Sequence, residues 1–327
     1  MNLAAAALVL LTGLPAASAQ SASGQLARTP LFGSEYMRVS DWAEAGHFQV
    51  RWTRPNEEAQ LTNSRSRLVF TVDSHKAEIN GVTVFLSSPV AARHGCLYLS
   101  LLDLETAVNP VVFSPGHAIR APILSVCLDP GHGGKDPGNQ EGRRQEKDHT
   151  LLLAQEVREL LSGAGLKVTL TRNGDSYVPL PDRPELARKR DADLFVSLHF
   201  NAAIADKDDV QGVEVYCLTP AGAGSTNSRG DSADGSACAG NRFDAKNMLL
   251  AYQIQKAMVR SLPVADRGVK RARFAVLRDA RVPAVLIEAG FMSHPQESKR
   301  ILDPQYRRRL ARAIADGILA YKRALER

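Results

Sequence analysis

The chain has 327 residues, 44% of them hydrophobic and 23% charged, with 24 Gly and 17 Pro. This globular composition excludes collagen, long coiled coils and wholly disordered chains, and the length allows two or three domains. A formal net charge of +6 suits an acidic polymer or surface as partner. With aromatics at only 6% and no basic stripe interleaved with them, a nucleic-acid role finds no support.

The opening MNLAAAALVLLTGLPAASAQ is apolar from Leu3 to Leu14, is broken by Pro15, and offers Ala17-Ser18-Ala19 to a signal peptidase. Residues 1–19 read as a secretory signal, although the n-region lacks Lys and Arg. The run is too short to cross a bilayer comfortably, so no membrane insertion is expected after cleavage. Residues 20–35 are small and polar and read as a linker.

Residues 36–112 read as a small, mainly β module. Phe48 to Trp52 and Arg67 to Val72 alternate apolar and polar residues. Ile79-Asn80-Gly81-Val82 carries the strongest short hairpin signal. The stretch "INGVTVFLSSPV…HGCLYLSLLDLETAV" is similar to the small N-terminal β/α modules of copper amine oxidases and some secreted cell-wall proteins, a likeness that carries no catalytic residue. Residues 113–122, with Pro115, Gly116 and Pro122, read as a second linker.

From Ile123 the pattern changes. Strand-length apolar runs at 123–128, 167–171, 194–198, 212–216, 273–277 and 283–287 alternate with helical patterns at 146–163, 182–191, 245–262 and 304–324. Residues 123–327 therefore read as an α/β domain, an open, mostly parallel sheet with helices on both faces.

Ligands of open α/β sheets sit beyond the carboxyl ends of the strands. There the sequence places His132 in DPGHGG, His199 after Leu194–Leu198, and Glu288 after Val285–Ile287. Glu146 opens the first long helix on the same rim. Two His and one carboxylate with an open position make a catalytic zinc site, and a second, unbound carboxylate can move the proton. Each residue alone has a blander reading: strand-end histidines are commonly structural, and Glu146 is a favourable first-turn acid. The stretch 218–241 is Gly/Ser-rich without apolar periodicity and reads as a flexible rim loop with no helix to block the site. The cysteines, Cys96, Cys127, Cys217 and Cys238, include no CxxC. A Cys217–Cys238 bridge would tie this loop down, with free buried thiols as the alternative.

The motifs "LDPGHGGKDPG", "EK", "LPDRPELARKRDADLFVSLHFNA", "GVEVYCL" and "RGVKRARFAVLRDARVPAVLIEAGFMSHPQE", followed by an amphipathic helix, resemble in order the zinc-dependent N-acetylmuramoyl-L-alanine amidases, the type 3 catalytic family, over residues 123–325. The resemblance implies one Zn2+ bound by His132, Glu146 and His199, with Glu288 as the catalytic acid/base. It implies hydrolysis of the amide between N-acetylmuramic acid and L-Ala in peptidoglycan. With the signal-like opening, the expected setting is secretion across the inner membrane to the periplasm or cell wall, and whether an activator protein is a further partner stays open. Asn201 is expected to assist the oxyanion, and Arg278, in a basic group with Arg267, Lys270, Arg271 and Arg273, to meet stem-peptide carboxylates. A solvated basic face is the alternative for that group. His149, three residues after Glu146, is a rival ligand left outside the shell, and His294 is expected to have a loop role only. A peptidase or deacetylase on the same scaffold, or an inactive wall-binding protein, remains as an alternative.

Overall fold

A computed structural model of the chain describes residues 28–113, 122–226 and 235–326. The expected signal and the first part of the expected linker lie outside these residues. The described chain begins with β1 (Arg28–Leu31), β2 (Ser34–Arg38), α1 (Val39–Ala45), β3 (Gln49–Arg54), β4 (Glu58–Thr62) and β5 (Arg67–Thr71). Next come β6 (Lys76–Ile79), β7 (Val82–Phe85), β8 (Ala91–Arg93), β9 (Cys96–Ser100), α2 (Leu101–Asp103) and α3 (Asn109–Val112).

The second part contains β10 (Ser125–Pro130), β11 (Gln140–Glu141), β12 (Arg144–Gln145), α4 (Glu146–Gly163), β13 (Lys167–Leu170), α5 (Asp182–Lys189), β14 (Leu194–Asn201) and β15 (Val213–Leu218). It closes with α6 (Asp244–Ser261), β16 (Asp266–Ala272), α7 (Ala275–Arg278), β17 (Ala284–Phe291), α8 (Pro295–Leu302) and α9 (Pro304–Glu326).

Three expectations need correction. Residues 28–35 are not linker: β1 and β2 pair and join β9 and β8 in a four-stranded antiparallel sheet. The strand expected at 273–277 lies instead at β16, and Ala275–Arg278 is helical. The basic string DRGVKRA hid that strand, because Lys270 and Arg271 read as cleft-facing or solvated although both are buried.

The main sheet is mixed rather than mostly parallel. Its order is β13-β10-β14-β17-β15-β16-β7-β6-β5-β4-β3. β13, β10, β14 and β17 run parallel, but β15 is antiparallel to β17. The reason is the connection. Residues 202–212 between β14 and β15 contain no helix, and a chain without a long crossover returns antiparallel. β3 to β7 form an antiparallel meander, and its Asn80-Gly81 turn, with φ of 51° and 81°, is the hairpin read from the sequence.

β7 lies beside β16, so the N-terminal strands extend the same sheet. Gly268 permits this approach: a Cβ there would come within 2.9 Å of the Thr83 carbonyl oxygen. Tyr252 donates to the Ile79 carbonyl (3.1 Å), Arg271 Nη2 to the Thr106 carbonyl (2.8 Å), and one hydrophobic core spans both halves.

α4, α6 and α9 pack together on one face of the main sheet. The buried side of α4 is the stripe Glu146, Thr150, Leu153, Val157 and Leu161, a helical repeat whose first member is a carboxylate. α5 and α7 cover the other face. No helix of the described residues is long and apolar enough to cross a membrane.

Candidate active site

Strand alternation sends the polar side chains to the face under α5 and α7. Val126 and Leu128, Val196 and Leu198, and Val285 and Ile287 enter the large core. Their neighbours Cys127, Phe195 and Leu286 face the other way. With a period of two, Asp129, His199 and Glu288 follow Cys127, Phe195 and Leu286 to that face at the strand ends. His199 and Glu288 are register partners on β14 and β17.

The turn after β10 is held rigidly. Asp129 is fully buried, pairs with Arg183 Nη1 at 2.8 Å, and accepts from the Thr171 and Ser197 hydroxyls. Arg183 also donates to the carbonyls of Pro130 and His132, and Arg172 to those of Pro130 and Gly131. His132 thereby keeps a left-handed φ of 60°, a conformation costly for a residue with a Cβ and typical of functional turns. Gly131 must lack a side chain, since a Cβ would sit 2.3 Å from the His199 ring.

Three side chains meet here. His132 Nε2 lies 3.1 Å from Glu146 Oε2, and His199 Nδ1 lies 3.0 Å from Glu146 Oε1. One ligand atom from each residue falls within 4.8 Å of the others. The backbone N–H groups of Asn139 and Phe200 pin the two Glu146 oxygens. Burial opposes the charge on Glu146, but the two histidines outweigh it and hold the carboxyl well below the usual carboxylate range. On the far side of its ring, His132 Nδ1 lies 2.9 Å from Asp136 Oδ2. With the proton on Nδ1, Nε2 offers its lone pair to the centre.

Glu288 stands apart from this group but lines the same cavity of about 450 Å³. Its Oε2 is enclosed and has no hydrogen-bond partner. Burial, reinforced by the charges of Glu146 and Glu214 and opposed by Lys270, pushes its pKa well above the carboxylate range. Tyr177, Leu180, Phe274 and Val276 form apolar parts of the cavity wall. The arrangement offers a three-donor cation site beside an isolated carboxyl group in a cleft open to a ligand.

The family model of N-acetylmuramoyl-L-alanine amidases matches residues 126–320. The chain belongs to this family. AmiA of Escherichia coli is 34% identical over 220 residues, covering 60% of this chain and 75% of the relative. AmiC of Neisseria meningitidis is 35% identical over 243 residues, 67% of this chain and 57% of the relative. The amidase AmiC2 of Nostoc punctiforme superposes with a TM-score of 0.52 at 32% identity, over 63% of this chain and 99% of that structure. The CwlD amidase of Clostridioides difficile, solved in complex with the GerS lipoprotein, gives 0.50 at 28% identity over 61% and 98%. The protein is thus an N-acetylmuramoyl-L-alanine amidase, acting on peptidoglycan.

In this amidase the expected substrate residues are placed differently. Asn201 does not line the cavity; its amide donates to Glu214 at 3.1 Å. Arg278 is exposed at the end of α7, also outside the lining. Arg267 and Lys270 turn onto Glu214, Arg271 onto backbone carbonyls, and Arg273 onto the carbonyls of Pro220 and Ala223. Apart from Arg278, the basic group is largely internal scaffolding, because Arg267, Lys270, Arg271 and Arg273 each bond an acceptor of the fold.

His149 lies outside the cluster, and its ring meets Phe200 edge-on. His294 caps α8, accepting from the Gln296 and Glu297 amides. The four cysteines are free thiols, so the Cys217–Cys238 bridge is absent. Within the described part of 218–241, Ala239 opens a short 3-10 turn that leads into α6. Sequence reasoning missed Asp136, Arg183 and Glu214. Asp136 sits inside the quoted GGKDPG motif four residues after His132, a spacing that could have revealed it.

Proposed function

We propose that the amidase is a single-zinc hydrolase in which His132, Glu146 and His199 are the protein ligands and Glu288 is the general acid/base. The convergence of those three donors, with the unpartnered Glu288 Oε2 on the same cavity, carries the reading. Two imidazoles and one carboxylate, open on the cavity side, form the donor set of catalytic rather than structural zinc. Asp136 behind His132 supplies the outer hydrogen bond that such ligands need.

When bound, zinc lowers the pKa of a water and polarises a carbonyl oxygen. Glu288 takes a proton from the attacking water and returns it to the leaving L-Ala nitrogen. A carboxyl group with a raised pKa suits both halves of that transfer. The amide cleaved joins the lactyl group of N-acetylmuramic acid to L-Ala, releasing the stem peptide. The working place is the periplasm or cell wall, where the substrate lies, and an accessory protein is a further partner, as the CwlD–GerS complex illustrates for another amidase.

Digestion of purified muropeptides, with and without a chelator and with products read by mass, tests the reading. Intact stem peptides with a free L-Ala amine, lost on chelation and recovered with zinc, are expected. Hydrolysis indifferent to chelation, or at the wild-type rate in Glu288→Gln, would overturn it.

A further inference from the structure

The cavity that holds His132, Glu146 and His199 has two apolar ends. Tyr177 and Leu180, between β13 and α5, line one, and Phe274 and Val276, around the start of α7, line the other. In the strand order β13-β10-β14-β17-β15-β16, His132, His199 and Glu288 belong to β10, β14 and β17 or the turns after them. The two ends follow β13 and β16, so they flank the reacting groups. Tyr177, Leu180 and Phe274 stay 43%, 55% and 38% exposed, which leaves apolar surface for a ligand at both ends.

The Tyr177 end is tied to the turn that carries His132. Asp175 accepts from the Gly134 N–H at 2.7 Å and from Lys147 Nζ at 2.8 Å, and the same ammonium donates to the Gly134 carbonyl at 2.8 Å. Arg172 Nη1 donates to the Gly174 carbonyl at 3.0 Å. Backbone lies against backbone here: a Cβ on Gly134 would come within 2.7 Å of the Tyr177 nitrogen. The ring is thus held before any ligand arrives, and a ligand spends little on ordering it.

Charge distinguishes the two ends. Lys135, exposed in the same turn, has its ammonium 4.5 Å from the Tyr177 ring centroid, and among the described residues it makes no ion pair. The nearby acids are committed, Asp136 to His132 and the Gly138 N–H, Asp175 to Lys147 and the Gly134 N–H. An ammonium over a ring face keeps N–H donors on its outer side. Towards the other end, Arg267 and Lys270 bond Glu214, and Arg273 bonds backbone carbonyls. The two halves of the substrate differ in the same way. A muramyl sugar whose lactyl carboxyl is tied up in the amide is neutral, whereas the stem peptide carries free carboxylates.

We propose that Lys135 and Tyr177 form the stem-peptide subsite, the ammonium pairing with a peptide carboxylate and the ring covering the chain beside it. The pair then sets a preference for acidic over amidated stems. This inference rests on the reading of the cavity as the amidase active site. Lys135 stands at the rim, away from the scissile bond, so its loss weakens binding and spares the chemical step.

The experiment measures kcat and KM on one muropeptide in two forms, with its stem carboxyl groups free or converted to primary amides. The enzymes are the wild type, Lys135→Gln, Lys135→Arg and Tyr177→Ala. The wild type is expected to show a KM about 5-fold lower for the free acid, the scale of one ion pair at a rim. Lys135→Gln brings the KM for the acid up to that for the amide with kcat unchanged, and Lys135→Arg keeps most of the preference. Tyr177→Ala raises KM for both forms. Calorimetry with the free stem peptide and its amidated form reads the same preference without turnover. A wild-type acid preference in Lys135→Gln overturns the proposal, as does a wild type that treats the two forms alike, and a wild-type KM in Tyr177→Ala overturns the role of the ring. Chelator-resistant turnover counts against the zinc reading alone, whereas stem-peptide binding indifferent to Lys135 counts against this inference alone.

Discussion

Asp136 accepts from His132 Nδ1 at 2.9 Å, one turn of chain after the histidine it orients. The same carboxylate takes the Gly138 N–H on its other oxygen, so its own position is fixed. Asp136→Asn weakens the hold on the imidazole and its preferred tautomer without touching the donor set. Metal affinity is expected to fall by roughly 10–100-fold, as is usual for such outer partners. Titration with a competing chelator measures it; an unchanged affinity would remove Asp136 from the site's design.

The acid limb of kcat/KM should report the raised pKa of Glu288. The base form is the deprotonated one, so activity falls as pH drops through that pKa, and the limb lies above 4.5, the ordinary value of a glutamate side chain. Glu288→Gln abolishes the limb together with about 10²–10⁴-fold of the rate, while zinc stays bound. Rate against pH, paired with metal analysis of each preparation, checks both statements.

The buried Asp129–Arg183 pair holds the turn that carries His132. Arg183→Met leaves the Asp129 charge buried with only two hydroxyls for support. Breaking one side of such a pair costs about 3–5 kcal/mol. Urea unfolding should show that loss, with activity falling as the His132 carbonyl is released. A stability change near zero would mean that the pair contributes little.

His149 gives a pH dependence of stability. Burial, helped by Arg307 and Arg144 and opposed by Asp148, lowers its pKa in the folded chain below the ordinary 6.5. The unfolded chain therefore takes up a proton that the folded chain resists. Stability is complete above the unfolded value and declines as pH falls through the folded one. His149→Leu should match the wild type at pH 8 and exceed it at pH 5 in denaturant midpoint. The opposite ordering would mean that the imidazole is charged in the fold.

The four residues proposed for the chemistry were legible because each ends an apolar strand or opens an amphipathic helix, and those patterns survive in one dimension. His132, Glu146, His199 and Glu288 could be named from DPGHGG, EK, SLHFNA and IEAGF. The Asn80-Gly81 hairpin was legible for a similar reason, since its turn chemistry is local.

What sequence could not decide was which charges are buried. RGVKRAR reads as a substrate-facing or solvated basic group, yet Lys270 and Arg271 are interior because their acceptors, Glu214 and the carbonyls of Leu218 and Thr106, arrive from distant segments. Asn201 and Arg278 were assigned to substrate on the same one-dimensional grounds and are placed elsewhere. The direction of β15 and the merging of β7 with β16 into one sheet were likewise settled by packing. Local pattern fixes which side chains leave a strand end; only the three-dimensional meeting of donor and acceptor fixes which of them are free to bind anything else.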